Sequence, residues 1–261
     1  MATTTIDGRA DSDQRFYIGL SIVFAAIPLC GFGLTYLYPL AAGTFQGPRL
    51  LHVHAVLLFG WLALFVAQSV LAAKSVRAHR TMGLVGISLA TAMVFTALLV
   101  IVDGLNQAVH NGTEASARVL SIVPMTAIGS FAVLFILAIA NRQRTEYHKR
   151  LMVLATVALL APAVARVLFV LFAPPAAGVR PSFANPVPDL GVALRTTFAP
   201  AFIVDLLILL PIVREWRTTG RPHVVYVTGA ASLLALHIGR IFVATSLFWH
   251  TVTNGLIALA Y

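Results

Sequence analysis

The chain has 261 residues, of which 59% are hydrophobic and 10% charged, and its mean hydropathy is +0.90. No soluble domain of this length needs so much apolar material for its core, so the soluble globular classes are excluded and the chain reads as an integral membrane protein. The formal net charge of +9 is spread over short loops instead of one soluble face, which excludes nucleic acid and points to anionic lipid headgroups as the partner.

The amino end, MATTTIDGRADSDQRF, mixes acidic and basic residues and lacks the basic start and cleavage site of a secretory signal, so the first apolar run is expected to be retained. A bilayer core takes about 20 apolar residues per helix. Seven stretches meet that length, near 16–38, 50–72, 82–102, 119–140, 150–172, 196–213 and 224–247. The sixth is short and carries Asp205. The predicted fold is therefore all-α: a seven-transmembrane-helix bundle over 16–250, with a cytoplasmic tail at 1–15 and a short outer tail at 251–261. Pro28, Pro124, Pro162 and Pro211 fall inside these runs, where local kinks are expected instead of helix ends. Cys30, in an apolar run with no second cysteine, is expected to be a small buried hydrophobe.

Basic residues favour cytoplasmic loops. Lys74, Arg77 and Arg80 lie between the second and third runs, Arg142, Arg144, Lys149 and Arg150 between the fourth and fifth, and Arg214, Arg217 and Arg221 between the sixth and seventh. Arg9 and Arg15 share that side, whereas Arg49, Arg118, Arg180 and Arg195 lie opposite. The bias places the amino end inside and the carboxyl end outside a bacterial inner membrane. The proline-rich segment 173–195, APPAAGVRPSFANPVPDLGVALR, is expected to be an outer loop or lid.

His79-Arg80, His148-Lys149 and Arg221-Pro222-His223 each open an odd-numbered helix. Interfacial anchoring explains this pattern, and a duplicated hairpin would also produce it. His110 and His250 are expected to be solvated. The ionisable residues inside the helices, His54, Arg166, Asp205, His237 and Arg240, carry the functional argument, because charge in hydrocarbon costs about 2.5–3.5 kcal/mol even on the gentlest scale. At 1.5 Å per residue, all five fall in the outer half of the membrane or near its middle. Asp205 would neutralise Arg166 or Arg240.

In LLHVHAVLLFGW, His52 and His54 point about 200° apart on a helix. His54 shares its face with Trp61, Phe65 and Gln68, so it is expected to face inward; His52 shares its face with Val56, Phe59 and Ala63 and is expected to seal the rim. His237 lies on a stripe with Tyr226, Ala230, Arg240 and Ala244, where small residues permit close helix approach.

His54 to Gly60-Trp61, His79 to Gly83 and His148 to Met152 together resemble a widespread group of uncharacterised bacterial multi-spanning membrane proteins. That resemblance implies no activity. HVHAVLLFGW is also similar to the haem-ligating helices of haem-copper oxidase and nitric oxide response membrane families, which implies haem, although the chain is too small for an oxidase catalytic subunit.

Three functional readings follow. In the first, His54 and His237 are axial ligands of a b-type haem, with Arg166 and Arg240 on its propionates, for electron transfer or redox sensing. In the second, His54, His237 and Asp205 or Asp103 hold zinc or another transition metal for hydrolysis. This would resemble the seven-helix ceramidase and progestin-receptor-like hydrolases, but their His-x-x-x-His pair is broken here by Ile241. In the third, the same residues form a metal-free pocket for an anionic or quinone-like small molecule, or the chain serves a partner membrane subunit. Enzymatic activity is left open. No Walker loop, Rossmann fingerprint or nucleophile elbow is present, and no lysine stands in the seventh helix to hold retinal.

Overall fold

The computed structural model describes residues 3–172 and 190–259, with side chains described over 12–172 and 198–259. Every regular element among them is helical. α1 spans Thr3–Phe32 and runs through a π-helical turn, Gly33–Leu37, into α2, Tyr38–Ala41. Next come α3 (Arg49–Lys74), α4 (Val76–His110), α5 (Glu114–Leu120), α6 (Ile122–Ala140), α7 (Thr145–Ala158) and α8 (Ala161–Phe172). The chain closes with α9 (Leu190–Thr219), α10 (Val224–Ala244) and α11 (Leu247–Ala258).

Among the described residues, six helices are long and apolar enough to cross a membrane: Ser12–Ala41, Arg49–Lys74, Val76–His110, Glu114–Ala140, Thr145–Phe172 and Val224–Ala244. The expected sixth span, 196–213, lies inside α9, which is not one of these six. Most of the expected carboxyl-terminal tail, 251–261, is helical, within α11. The expected lid loses its last residues to the start of α9, and the rest of it, 173–189, lies outside the described residues.

Proline chemistry explains two breaks that the sequence predicted only as kinks. Pro162 has no N–H to offer the carbonyl of residue 158, and the chain turns at Leu159 and Leu160 before α8 resumes. Pro124 likewise cannot donate to Leu120, where α5 ends, and it sits in the first turn of α6, where that N–H is not needed. Pro28, Pro200 and Pro211 are carried within helices.

The chain divides into two compact units, Met1–Thr96 and Ala97–Tyr261. In the first, α1 packs on α3, whose buried residues are Trp61, Leu62, Leu64 and Phe65. α4 comes close to α3 at its glycines: a Cβ at Gly86 would lie 3.3 Å from Leu64 Cδ2. Cys30 is exposed, on a helix face whose natural solvent is lipid, which corrects its expected burial.

In the second unit α7 is the central element, packed against α6, α9 and α10. Its span is 56% buried over the most apolar window, against 22–28% for the other five. Leu154, Ala155, Thr156 and Val157 are completely enclosed. α10 approaches so closely that a Cβ on Gly229 would lie 2.3 Å from Leu154 Cδ1. The short α5 and α11 join Val119 and Ile122 to Ala244 and Trp249 in a separate apolar cluster. Outward side chains such as Ile136 and Phe242 are exposed and apolar, as lipid contact requires.

Candidate functional site

Two helices of the second unit, α9 and α10, build the most distinctive polar site. Asp205 of α9 and His237 of α10 meet side chain to side chain, Oδ2 to Nδ1, at 2.8 Å. Both side chains are largely enclosed, at 13% and 9% exposure, so the carboxylate acts in a poorly screened environment. A carboxylate oxygen can only accept while it is ionised, so Nδ1 carries a proton, and in the neutral ring Nε2 keeps its lone pair. The second oxygen of Asp205, Oδ1, is buried without a donor, and the neutral imidazole offers Nε2 as another acceptor. Two acceptors are therefore set in one apolar interior.

Asp205, His237 and Arg240 are three of the five ionisable residues that the sequence singled out inside the helices. Asp205 was expected to neutralise an arginine, and its Oδ2 is hydrogen-bonded to His237. Arg240 follows His237 by three residues, on the same face of α10, and its charge acts on Asp205. The guanidinium also lines a small cavity with Val119, Leu120, Ile122, Val123, Phe198, Ile241 and Ala244, which has room for about one water molecule. Arg166 of α8 is partly buried and donates to Pro162 O at 2.9 Å, one turn back, next to the break between α7 and α8.

In the first unit His54 faces inward, as its helical stripe predicted: Trp61 and Phe65 on that face are buried, while Val56 and Ala63 on the opposite face are exposed. Its Nδ1 lies 3.1 Å from Thr96 Oγ1. The Thr96 hydroxyl is also 2.9 Å from Ala92 O, one turn back on its own helix. His52 has a more specific position than rim sealing required. Its Nδ1 is 2.8 Å from Tyr36 Oη, and Phe45 packs edge-on to both rings. Tyr36 sits in the π-helical turn, whose extra residue shifts it off the α-helical register.

The helix-opening histidines also have partners inside the protein. His79 Nδ1 lies 3.2 Å from Gln68 O, and Gln68 Nε2 returns a bond to His79 O. His148 Nδ1 lies 2.9 Å from Ala138 O. Because a carbonyl only accepts, both rings donate from Nδ1, and each ties a helix to the end of the one before it. The sequence signal was the repeated His-Arg/Lys opening; its partner, a backbone carbonyl, leaves no trace in side-chain identity.

Among the described residues no three of His, Cys, Asp and Glu converge as a metal ion would require. Asp205 and His237 supply two donors, one fewer than a catalytic zinc takes from protein. Asp103 is engaged instead with Gln107, at 2.6 Å on its own helix. No family model, curated protein or solved structure matches the chain.

Proposed function

We propose that this is a multi-pass bacterial inner-membrane protein that binds an anionic or quinone-like small molecule at the Asp205–His237–Arg240 site. One observation carries the reading: Asp205 fixes Nδ1–H of His237 and leaves Nε2 and Oδ1 as acceptors beside a buried cation. A hydroxyl of a quinol-like ligand would donate to Nε2, and the imidazolium formed by proton uptake would be stabilised by Asp205. A negatively charged oxygen would be met by Arg240. The cavity beside Arg240 has mostly apolar walls, and it would have to open beyond the space of one water to take the ring of a lipid-soluble molecule. On this reading α9 crosses the membrane as a seventh helix, with the amino end cytoplasmic and the carboxyl end outside.

The test is direct titration of the purified protein with a short-chain quinone and its quinol, followed by quenching of intrinsic tryptophan fluorescence. Saturable quenching that is lost in His237→Ala and weakened in Asp205→Asn supports the site. Equal quenching in wild type and both variants sinks it.

A b-type haem is the second reading, because an imidazole that gives Nδ1–H to a carboxylate is oriented as iron ligands are, and His237 makes that bond to Asp205. The Arg240 cavity would have to open well beyond one water to admit a porphyrin. A Soret band in the purified protein, reduced in His237→Ala, would select this reading over the metal-free one.

A further inference from the structure

At the other end of α10 lies a polar cluster that the proposed binding site does not use. Arg150 and Glu215 are both buried there, on α7 and α9. Arg150 Nε donates to Glu215 Oε1 at 2.7 Å and Nη2 to the same oxygen at 2.6 Å, while Nη1 reaches Glu146. The other Glu215 oxygen, Oε2, accepts the backbone N–H of His223 at 2.7 Å. His223 is the N-cap of α10, and its Nδ1 accepts the backbone N–H of Val225 at 3.2 Å. The usual N-cap acceptor is a side-chain oxygen that does not titrate near neutrality. Here the acceptor is a nitrogen that does.

We propose that His223 is an acid-labile cap: protonation of its Nδ1 removes the acceptor that holds the first turn of the helix carrying His237 and Arg240. An imidazolium has two donors and no lone pair, so the Val225 bond cannot survive it. The new charge would also stand at the positive end of the helix dipole. Every neighbour bears on that charge. Tyr147 of α7 packs edge-on to the ring at 5.0 Å; Arg150 and Lys149 oppose the charge; Glu215 of α9 and Glu146 of α7 favour it; Arg221 precedes it by two residues. Tyr226 lies in the first turn of α10, under the Arg150 guanidinium, 5.7 Å from its carbon.

The opposing influences prevail. Burial first, and then the charge of Arg150, hold the imidazole below its ordinary value. With the folded value depressed, the unfolded first turn binds more protons than the folded one. The cap is therefore fully effective above the unfolded value of about 6.5 and is lost progressively as pH falls from there towards the folded value. On the proposed topology the compartment sensed is the cytoplasm.

The experiment is hydrogen exchange on the intact protein in detergent micelles, read at the Val225 amide after correction for intrinsic exchange, at about pH 7.5 and about pH 5.5. Wild-type protection should fall about fivefold at the lower pH, comparable to loss of one helix cap. His223→Asn keeps a side-chain acceptor that does not titrate, so it should hold high protection at both values. His223→Ala should be weakly protected at both. A wild type whose protection does not change with pH overturns the proposal, as does a His223→Asn variant with the same fall as wild type.

Discussion

Asp205 and His237 form a couple in which each side chain answers the other's need. The carboxylate would be strongly penalised alone in hydrocarbon, and the imidazole needs its Nδ1–H fixed if Nε2 is to present a lone pair. Asp205→Ala leaves a buried donor unmatched and should cost about 2–3 kcal/mol, seen as a lower melting temperature in detergent. Asp205→Asn keeps an oxygen acceptor for Nδ1–H and should lie between that variant and wild type. Glu114→Ala removes a half-exposed partner of Arg118, at 3.8 Å, and should shift the melting temperature little, within about 1 kcal/mol. Equal melting shifts for Asp205→Ala and Glu114→Ala would remove the couple from the account. The sequence singled out the ionisable residues inside the helices but not their partners. His54 could be assigned its inward face because helical periodicity is local, whereas the Asp205–His237 contact depends on the register between α9 and α10, which no local pattern encodes. The Tyr36–His52 contact was hidden for another reason: the π-helical turn shifts Tyr36 off the helical period, and nothing in GLTYL announces it.

At the scale of elements, close helix approach depends on Gly229 in the second unit and on Gly83 and Gly86 in α4. Gly229 is the sharpest case, since any Cβ there meets Leu154 Cδ1 at 2.3 Å in the most enclosed part of α7. Gly229→Ala should cost about 1–3 kcal/mol through overpacking. Gly239, on the same helix with nothing within 4 Å of its would-be Cβ, is the matched control. Gly239→Ala should be neutral or stabilising by up to about 1 kcal/mol, because alanine is the better helix former. Thermal unfolding of the two variants checks both, and a Gly229→Ala protein as stable as Gly239→Ala would contradict the packing described. Helix existence was legible from apolar run length alone. Helix ends were less so: α4 continues to His110, well past its apolar run, and the breaks near Pro124 and Pro162 read as kinks because proline alone does not say whether neighbours will re-satisfy the backbone.

At the scale of the whole molecule, composition determined the class, and helical spans bear it out. The seventh crossing turns on α9, whose run is short and interrupted by Asp205, Pro200 and Pro211. A reporter fused after Tyr261 should be active outside the cytoplasm if α9 crosses. Cytoplasmic activity there would reduce the count to the six apolar spans and place both termini on one side.

The most direct measurement of the central claim is the affinity of the His237 site for a short-chain quinol, taken on wild type, His237→Ala and Asp205→Asn in the same detergent, with the Soret region recorded on each sample. The account predicts saturable binding by a wild type without a Soret band, loss of that binding in His237→Ala, and weakening in Asp205→Asn. Binding that is indifferent to both substitutions, or a wild type that binds no quinol at all, would contradict it.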